Sequence, residues 1–209
     1  MSDNAYDVLS TTVHFSGRVI SVRSDQVRMP DGKVATRDIV EHPGAVGVVA
    51  LDDDDRVLMI RQYRPAVAAY LWELPAGLLD EVGESAADAA ARELAEEVGI
   101  GARTWAVLVD AYTSSGMTDE AYRVYLARDL SAKAIDFVAG PDEESDMQEE
   151  WVPLDDAVAR VLAGEITNGL AAMGILATAV ARAAGYADLR GVDSSWSARP
   201  LHSLTPQTE

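Results

Sequence analysis

A chain of 209 residues, 48% of them hydrophobic, is enough for one compact domain with a full core and a small appendage. Asp and Glu outnumber Lys and Arg by 35 to 17, and the net charge of −18 argues against nucleic acid or an anionic membrane surface as the main partner. There is no cysteine, which removes disulfides, thiolate zinc sites and cysteine nucleophiles, and three scattered histidines (His14, His42, His202) argue against a histidine-built metal site. The N-terminal MSDNAYDVLS lacks the basic and apolar regions of a signal peptide, and the longest apolar run, around 169–181, is too short for a bilayer. A soluble cytoplasmic protein is the expectation.

In chain order, residues 12–40 alternate apolar and polar (Val13-His14-Phe15, Val19-Ile20-Ser21-Val22, Val27-Arg28-Met29) around the turn tripeptide Pro30-Asp31-Gly32. That pattern predicts a small antiparallel β-meander. Residues 45–51 and 56–63 read as strands apolar enough for the inside of a sheet. The four aspartates between them, Asp52 to Asp55, read as a solvated hairpin tip rather than a metal site, because their side chains fan outward. A helix starts at Ser85-Ala86-Ala87-Asp88, a capping-box-like sequence, and stops at Gly99. Residues 105–112 and 121–127 read as strands, joined by the small polar linker 113–120, of the kind that carries function. An acidic stretch at 139–146, a short strand at 150–152, a helix at 154–162, an alanine-rich helix at 168–184 and an irregular, partly frayed tail from 186 complete the chain. Strands on both sides of an amphipathic helix, with two helices after them, indicate an α/β fold.

The first helix carries the chemistry. At about 100° per residue, Ala87, Ala90, Ala91, Leu94 and Val98 share an apolar side, and Glu93, Glu96 and Glu97 share the other. Glu93 and Glu97 point the same way, one turn (roughly 5.4 Å) apart, a spacing of oxygen donors that suits a hard divalent cation such as Mg²⁺. The competing reading is a solvated acidic face, since like charges at i,i+4 cost only about 0.2–0.5 kcal/mol on an exposed helix.

The stretch from Gly77 to Ile100 resembles the Nudix box, the loop–helix signature of the Nudix hydrolases. Gly77, Glu84, Arg92, Glu93, Leu94, Glu96, Glu97, Gly99 and Ile100 take its named positions, with one extra loop residue between Gly77 and Glu84. Three further segments resemble the ADP-ribose pyrophosphatase branch of that family: Arg61-Gln62-Tyr63-Arg64-Pro65, Trp72-Glu73-Leu74-Pro75-Ala76-Gly77, and Ser114-Ser115-Gly116-Met117-Thr118-Asp119-Glu120. In the last, Ser115 and Met117 depart from the branch's proline and aromatic residue.

The resemblance implies an α/β/α sandwich with a mixed sheet over about 42–185, a small N-terminal antiparallel β-segment (1–41) that pairs subunits into a homodimer, and an irregular tail over 186–209. It implies hydrolysis of the pyrophosphate of ADP-ribose to AMP and ribose 5-phosphate, with Mg²⁺ as cofactor and Mn²⁺ as its substitute. Glu93 and Glu97 are then the first metal ligands, Glu96 a third, and the backbone carbonyl of Ala76 completes the set. Arg92 pairs with a carboxylate of its own helix. Glu144, in the acidic stretch, aligns with the family's general base, a solvated loop being the plainer reading. Arg64 is the candidate clamp for phosphate oxygens, since a guanidinium grips them with two bonds. Arg37 plays that part from a partner subunit. Trp72 either stacks on adenine or packs in the core, and Met117 and Asp119 lie in the loop expected near the substrate. The alternatives are another nucleoside diphosphate sugar as substrate, or a Nudix-derived sensor that binds ADP-ribose without cleaving it.

Overall fold

The alternation of the first 41 residues becomes three antiparallel strands, Asp7–Ser16 (β1), Ser21–Arg28 (β2) and Val34–Glu41 (β3), in the sheet order β1-β2-β3. The structure, a computed structural model, describes residues 6–133 and 147–198. The β2–β3 turn closes with the Met29 amide donating to the Lys33 carbonyl at 2.7 Å, and Gly32 sits at φ 81°, a conformation open to glycine. β1 is exposed along its whole length, Val8, Val13 and Phe15 included.

The main body follows as Ala45–Ala50 (β4), Arg56–Arg64 (β5), Ala69–Glu73 (β6), Ala76–Leu78 (β7), Ala86–Val98 (α1), Ile100–Tyr112 (β8), Ala121–Ala132 (β9), Gln148–Pro153 (β10), Leu154–Leu162 (α2), Gly169–Ala183 (α3) and Arg190–Gly191 (β11). One five-stranded sheet runs β11-β8-β9-β4-β7, and a three-stranded one runs β10-β5-β6. β4 is parallel to β9 and antiparallel to β7, so the larger sheet is mixed, as expected.

β4 is buried at every position, and its side chains divide between two cores. Val46, Val48 and Ala50 join Tyr125 and Ala127 of β9 under α1. Val49 joins Val124 and Leu126 against α2 and α3. Alternation along a strand makes this division, and helices on both faces make the sandwich. Close approach is required at Gly174 of α3, where an added Cβ would lie 2.8 Å from Leu74 and 3.1 Å from both Val49 and Val124.

The sequence reading differs from the structure in strand ends, short strands and the face of α1: β8 begins at 100 rather than 105, and β9 runs to 132 rather than 127. β6, β7 and β11 were not expected, being two to five residues long and lacking a period to read. The buried stripe of α1 is Ala86, Ala89, Ala90, Leu94 and Ala95, whereas Ala87, Ala91 and Val98 are only half-buried. A helix with six alanines leaves the centre of its apolar face ambiguous until a sheet is laid against it. In the tail, expected to be irregular and frayed in part, β11 pairs with β8 and the Ser194 amide donates to the Gly191 carbonyl at 3.0 Å; residues 199–209 lie outside the described residues. Among the described residues no helix is long and apolar enough to cross a membrane.

Candidate active site

The N-terminal turn of α1 is fixed locally. The Ser85 hydroxyl accepts the Asp88 amide at 3.1 Å and donates to the Asp88 carboxylate at 2.7 Å, and Gly99 ends the helix at φ 62°. Leu94, fully buried, holds the opposite side to the sheet, and its truncation to alanine carries a cost of about 2–5 kcal/mol. The carboxylate face of α1 is thereby turned toward β7.

β7 pairs Val46 with Gly77 and Gly47 with Ala76, which carries the loop backbone past the helix. The Ala76 amide donates to Glu97 Oε2 at 3.0 Å. At Gly77 any Cβ would overlap the Glu93 carboxyl, so glycine lets the loop pass with that carboxyl in place. Arg92 lies among the carboxylates. Its Nε and Nη2 each donate to Glu84 at 3.0 Å, and its Nη1 to Glu93 at 2.7 Å and Glu96 at 3.0 Å. These bonds, led by the pair to Glu84, hold the guanidinium well above its usual range. Burial pushes the Glu93 carboxyl up and Arg92 pulls it back, with Glu96 and Asp80 adding to the rise. One cation faces three glutamates, Glu84, Glu93 and Glu96, and the local charge remains negative.

Among the described residues no three Asp, Glu or His side chains gather into a complete cation cage, because Arg92 occupies the space between Glu84, Glu93 and Glu96. The donors that fit a hard divalent cation are the Glu93 and Glu97 carboxylates beside the Ala76–Gly77 backbone, oxygen ligands with negative charge in excess.

Ala76 and Gly77 also line a cleft of about 680 Å³, together with Arg18, His42, Arg64, Glu73, Glu120, Tyr122 and Asn168. Arg64 enters it with its fork engaged, Nε and Nη2 donating to Glu73 at 2.9 and 2.7 Å. Glu73 is 2% exposed, so the pair is oriented by a buried carboxylate. The Tyr122 hydroxyl is pushed up to about 12, by burial first and then by Glu120. It therefore remains a protonated donor at neutral pH. His42 Nδ1 accepts the Gly44 amide at 3.1 Å, and its Nε2 lies 3.5 Å from Glu120.

The linker 113–120 forms a wall between this cleft and a second one of about 580 Å³, lined by Arg37, Met117 and Asp119. The Val40 amide donates to the Met117 carbonyl at 2.8 Å, and the Asp119 carboxylate accepts the His42 amide at 2.8 Å, so the linker is pinned to β3 and its continuation. Asp119 thus spends one carboxylate oxygen on holding the backbone.

The residues singled out from the sequence therefore fall into groups. Ala76, Arg92, Glu93, Glu96 and Glu97 come together, and Arg64 shares a cleft with Ala76. Arg37, Met117 and Asp119 line the neighbouring cleft. Trp72 lines neither: it packs against the core beneath α2 and α3, with Arg61 and Arg160 over its ring at 5.7 and 5.9 Å. The core-packing alternative is the one this placement favours. Glu144 lies outside the described residues. Sequence reasoning passed over Glu73, Glu120, Tyr122 and His42. The first two stood inside segments quoted for their resemblance, which was the available signal; nothing local marks the others.

The NUDIX domain model matches residues 41–171. An ADP-ribose pyrophosphatase of Mycobacterium tuberculosis is 46% identical over 200 residues, covering 96% of this chain and 95% of its own. An ADP-ribose pyrophosphatase of Bacillus subtilis is 37% identical over 161 residues, covering 77% and 85%. The crystal structure of an ADP compounds hydrolase superposes with a TM-score of 0.73 over 87% of this chain and 97% of that one, at 23% identity, a likeness of fold.

Proposed function

The chain belongs to the Nudix family, and from that premise we propose that it is a cytoplasmic, divalent-metal-dependent hydrolase of ADP-ribose, yielding AMP and ribose 5-phosphate. The observation that carries this reading is the shared Ala76–Gly77 backbone, with the Glu93 and Glu97 carboxylates on it and the 680 Å³ cleft against it. A pyrophosphate in that cleft meets Arg64 and the loop at once. Two relatives named ADP-ribose pyrophosphatase, at 46% and 37% identity, point to the substrate.

In this mechanism Glu93 and Glu97 would hold the cation, Mg²⁺ or Mn²⁺, with the Ala76 carbonyl as a further donor. The chemistry supplied by such a cation would be neutralisation of the pyrophosphate oxygens, which would open phosphorus to attack. Arg64, oriented by Glu73, grips non-bridging oxygens and fixes the diphosphate in line with the attacking water. Arg92 keeps Glu93 and Glu96 from swinging away. The oxygen of water bonds to one phosphorus, the bridging P–O bond breaks, and the departing phosphate keeps the electron pair. The proton of the water passes to the general base, assigned to Glu144.

Steady-state hydrolysis of a nucleotide-sugar panel with Mg²⁺ tests the reading. ADP-ribose is expected to give the highest kcat/KM, with AMP and ribose 5-phosphate in equal amounts. A faster nucleoside diphosphate sugar would replace the substrate, an outcome on which Ser115 and Met117, at the second cleft, bear directly. Tight binding of ADP-ribose without turnover would mark a sensor.

The base assignment carries its own expectation. Glu144→Gln lowers kcat by about 100-fold or more with little change in substrate affinity, because a general base acts on the attacking water. Normal turnover in that variant beside a collapse in Glu96→Gln would move the base to α1. Glu143 stands next to Glu144, so the double variant belongs to the same measurement.

We also propose that residues 1–41 form a dimerisation segment. A three-stranded sheet with β1 exposed throughout has too little core of its own and needs a second surface. Arg37 would then reach the partner's cleft. Light scattering at micromolar concentration is expected to report twice the 22.4 kDa of the chain, and a 22.4 kDa species alone would overturn the proposal.

A further inference from the structure

α1 must hold its carboxylates in register with a loop whose Gly77 lies directly against the Glu93 carboxyl, yet its buried side is mostly alanine. Methyl groups make shallow ridges that do little to prevent a helix sliding along its axis. Misplacement of a reacting group by about 1 Å costs about 100-fold in rate. Leu94 and the Ala76–Glu97 bond hold the C-terminal half of the helix, and a contact at its first turn adds to them.

Residues 190–196 supply it. β11 pairs Arg190 with Val107 and Gly191 with Ala106 of β8. The chain then reaches the first turn of α1, where Val192, Ser194 and Trp196 share a 250 Å³ hollow with Ser85, Ala86 and Ala87. Val192 and Trp196 pack on the same core cluster as Ala86, Ala89, Ala90 and Leu94 of the helix. Beneath them lies an arginine in an unusual place: Arg123 of β9 is 2% exposed. Its guanidinium donates to both oxygens of Asp110, at 2.7 and 2.9 Å, and to the backbone carbonyls of Ser194 and Ser195, at 2.7 and 3.1 Å. Trp196 lies over it at 4.9 Å, and Arg190 reaches the same Asp110 at 2.6 Å. The two bonds to the Ser194 and Ser195 carbonyls, from a guanidinium held in place by Asp110, and the Arg190–Asp110 pair fix the path of the 190–196 backbone more narrowly than apolar contact alone does.

We propose that residues 190–196 are a strap that positions the carboxylate helix, with Arg123 as its anchor and Trp196 as the side chain that bears on α1. Both are positioning residues: neither lines the 680 Å³ cleft or touches the glutamates. The catalytic consequence rests on the hydrolase reading above; the anchoring itself does not.

Trp196→Ala and the conservative Trp196→Phe in the full chain test this, by hydrogen exchange and steady-state kinetics on ADP-ribose with Mg²⁺. In the alanine variant the amides of 86–98 are expected to exchange about 10-fold faster while β8 and β9 keep their protection. Its kcat is expected to fall about 10-fold with KM changed by less than about twofold, since a displaced helix disturbs the reacting geometry more than the cleft. Trp196→Phe restores most of both. Unchanged exchange at α1, or faster exchange spread evenly over helix and sheet, would overturn the proposal and leave the strap a general stability element. So would faster exchange at α1 with unchanged kcat. If the parent protein cleaves no ADP-ribose, the hydrolase reading fails while the exchange pattern still decides whether the strap anchors α1.

Discussion

Glu93→Gln and Glu97→Gln are each expected to lower the hydrolysis rate by about 1,000-fold while the protein stays folded. A bound cation supplies several kcal/mol of charge stabilisation to the reaction, and each 1.4 kcal/mol or so is tenfold in rate. Replacing a carboxylate by a neutral amide removes most of its attraction for the cation and changes almost nothing in shape. Glutamine at 97 still offers an oxygen to the Ala76 amide, which Glu97 Oε2 now accepts at 3.0 Å, so the loop keeps its anchor.

At 93 the sign of the stability effect follows from burial. The folded protein raises this carboxyl above its usual range, so its contribution is full below the unfolded pKa and is lost as pH rises through the folded value. At neutral pH without metal the charged group is a net cost, eased by Arg92. Glu93→Gln is therefore expected to melt no lower than the parent under those conditions. Kinetics and a metal-free melt on the same preparation check both statements. Near-normal turnover with Mg²⁺ in either variant would remove that residue from the ligand set, and a large drop in melting temperature would assign the loss of activity to unfolding.

Gly77→Ala is expected to cost about 100-fold in turnover, although it adds one methyl group and touches no charge. That group would occupy the space of the Glu93 carboxyl. The backbone is held by the pairing of Gly77 with Val46 in the sheet. The side chain has to move instead, and a shift of about 1 Å in a reacting constellation is worth about that factor. The cost to stability is expected to stay within the about 1–3 kcal/mol typical of overpacking, since a glutamate on a half-open face has somewhere to go. Calorimetric titration with Mg²⁺ separates the causes: the metal affinity of Gly77→Ala should fall as far as that of Glu93→Gln. Turnover within about threefold of the parent would show that the carboxyl has no fixed place to lose.

These two expectations differ in where their information came from. The pairing of Glu93 with Glu97, the Ser85 cap and the Gly99 stop are all local. A helix sets i,i+4 neighbours and its own ends through hydrogen bonds four residues apart, so the carboxylate face could be read from one short stretch. The mixed sheet between helices was legible in the same way, from a helix flanked by strands and followed by two more helices, sharpened by the resemblance of the Gly77 to Ile100 stretch to a known signature. That Gly77 stands against Glu93 is a contact across 16 positions, and the spacing alone gave no reason for it.

The cleft was less legible. Arg18, His42, Arg64, Glu120 with Tyr122, and Asn168 come from five separate parts of the chain, and no periodicity links those parts. Trp72 shows the limit plainly: its sequence context allows a base-stacking surface or a core residue, and its contacts with the core, Arg61 and Arg160 favour the second. Arg123 shows it again. An arginine between apolar neighbours in a strand reads as a position facing solvent, and it is buried because Asp110, 13 residues away, and the carbonyls of 194 and 195, more than 70 away, supply its acceptors. Sequence by itself determined what neighbouring residues settle among themselves: helix ends, strand periods, a hairpin turn and the spacing of two carboxylates. Which face of α1 is buried, which arginine is internal and which side chains share a cleft were decided by tertiary structure alone, because those outcomes depend on burial and on partners that only the folded chain brings within reach.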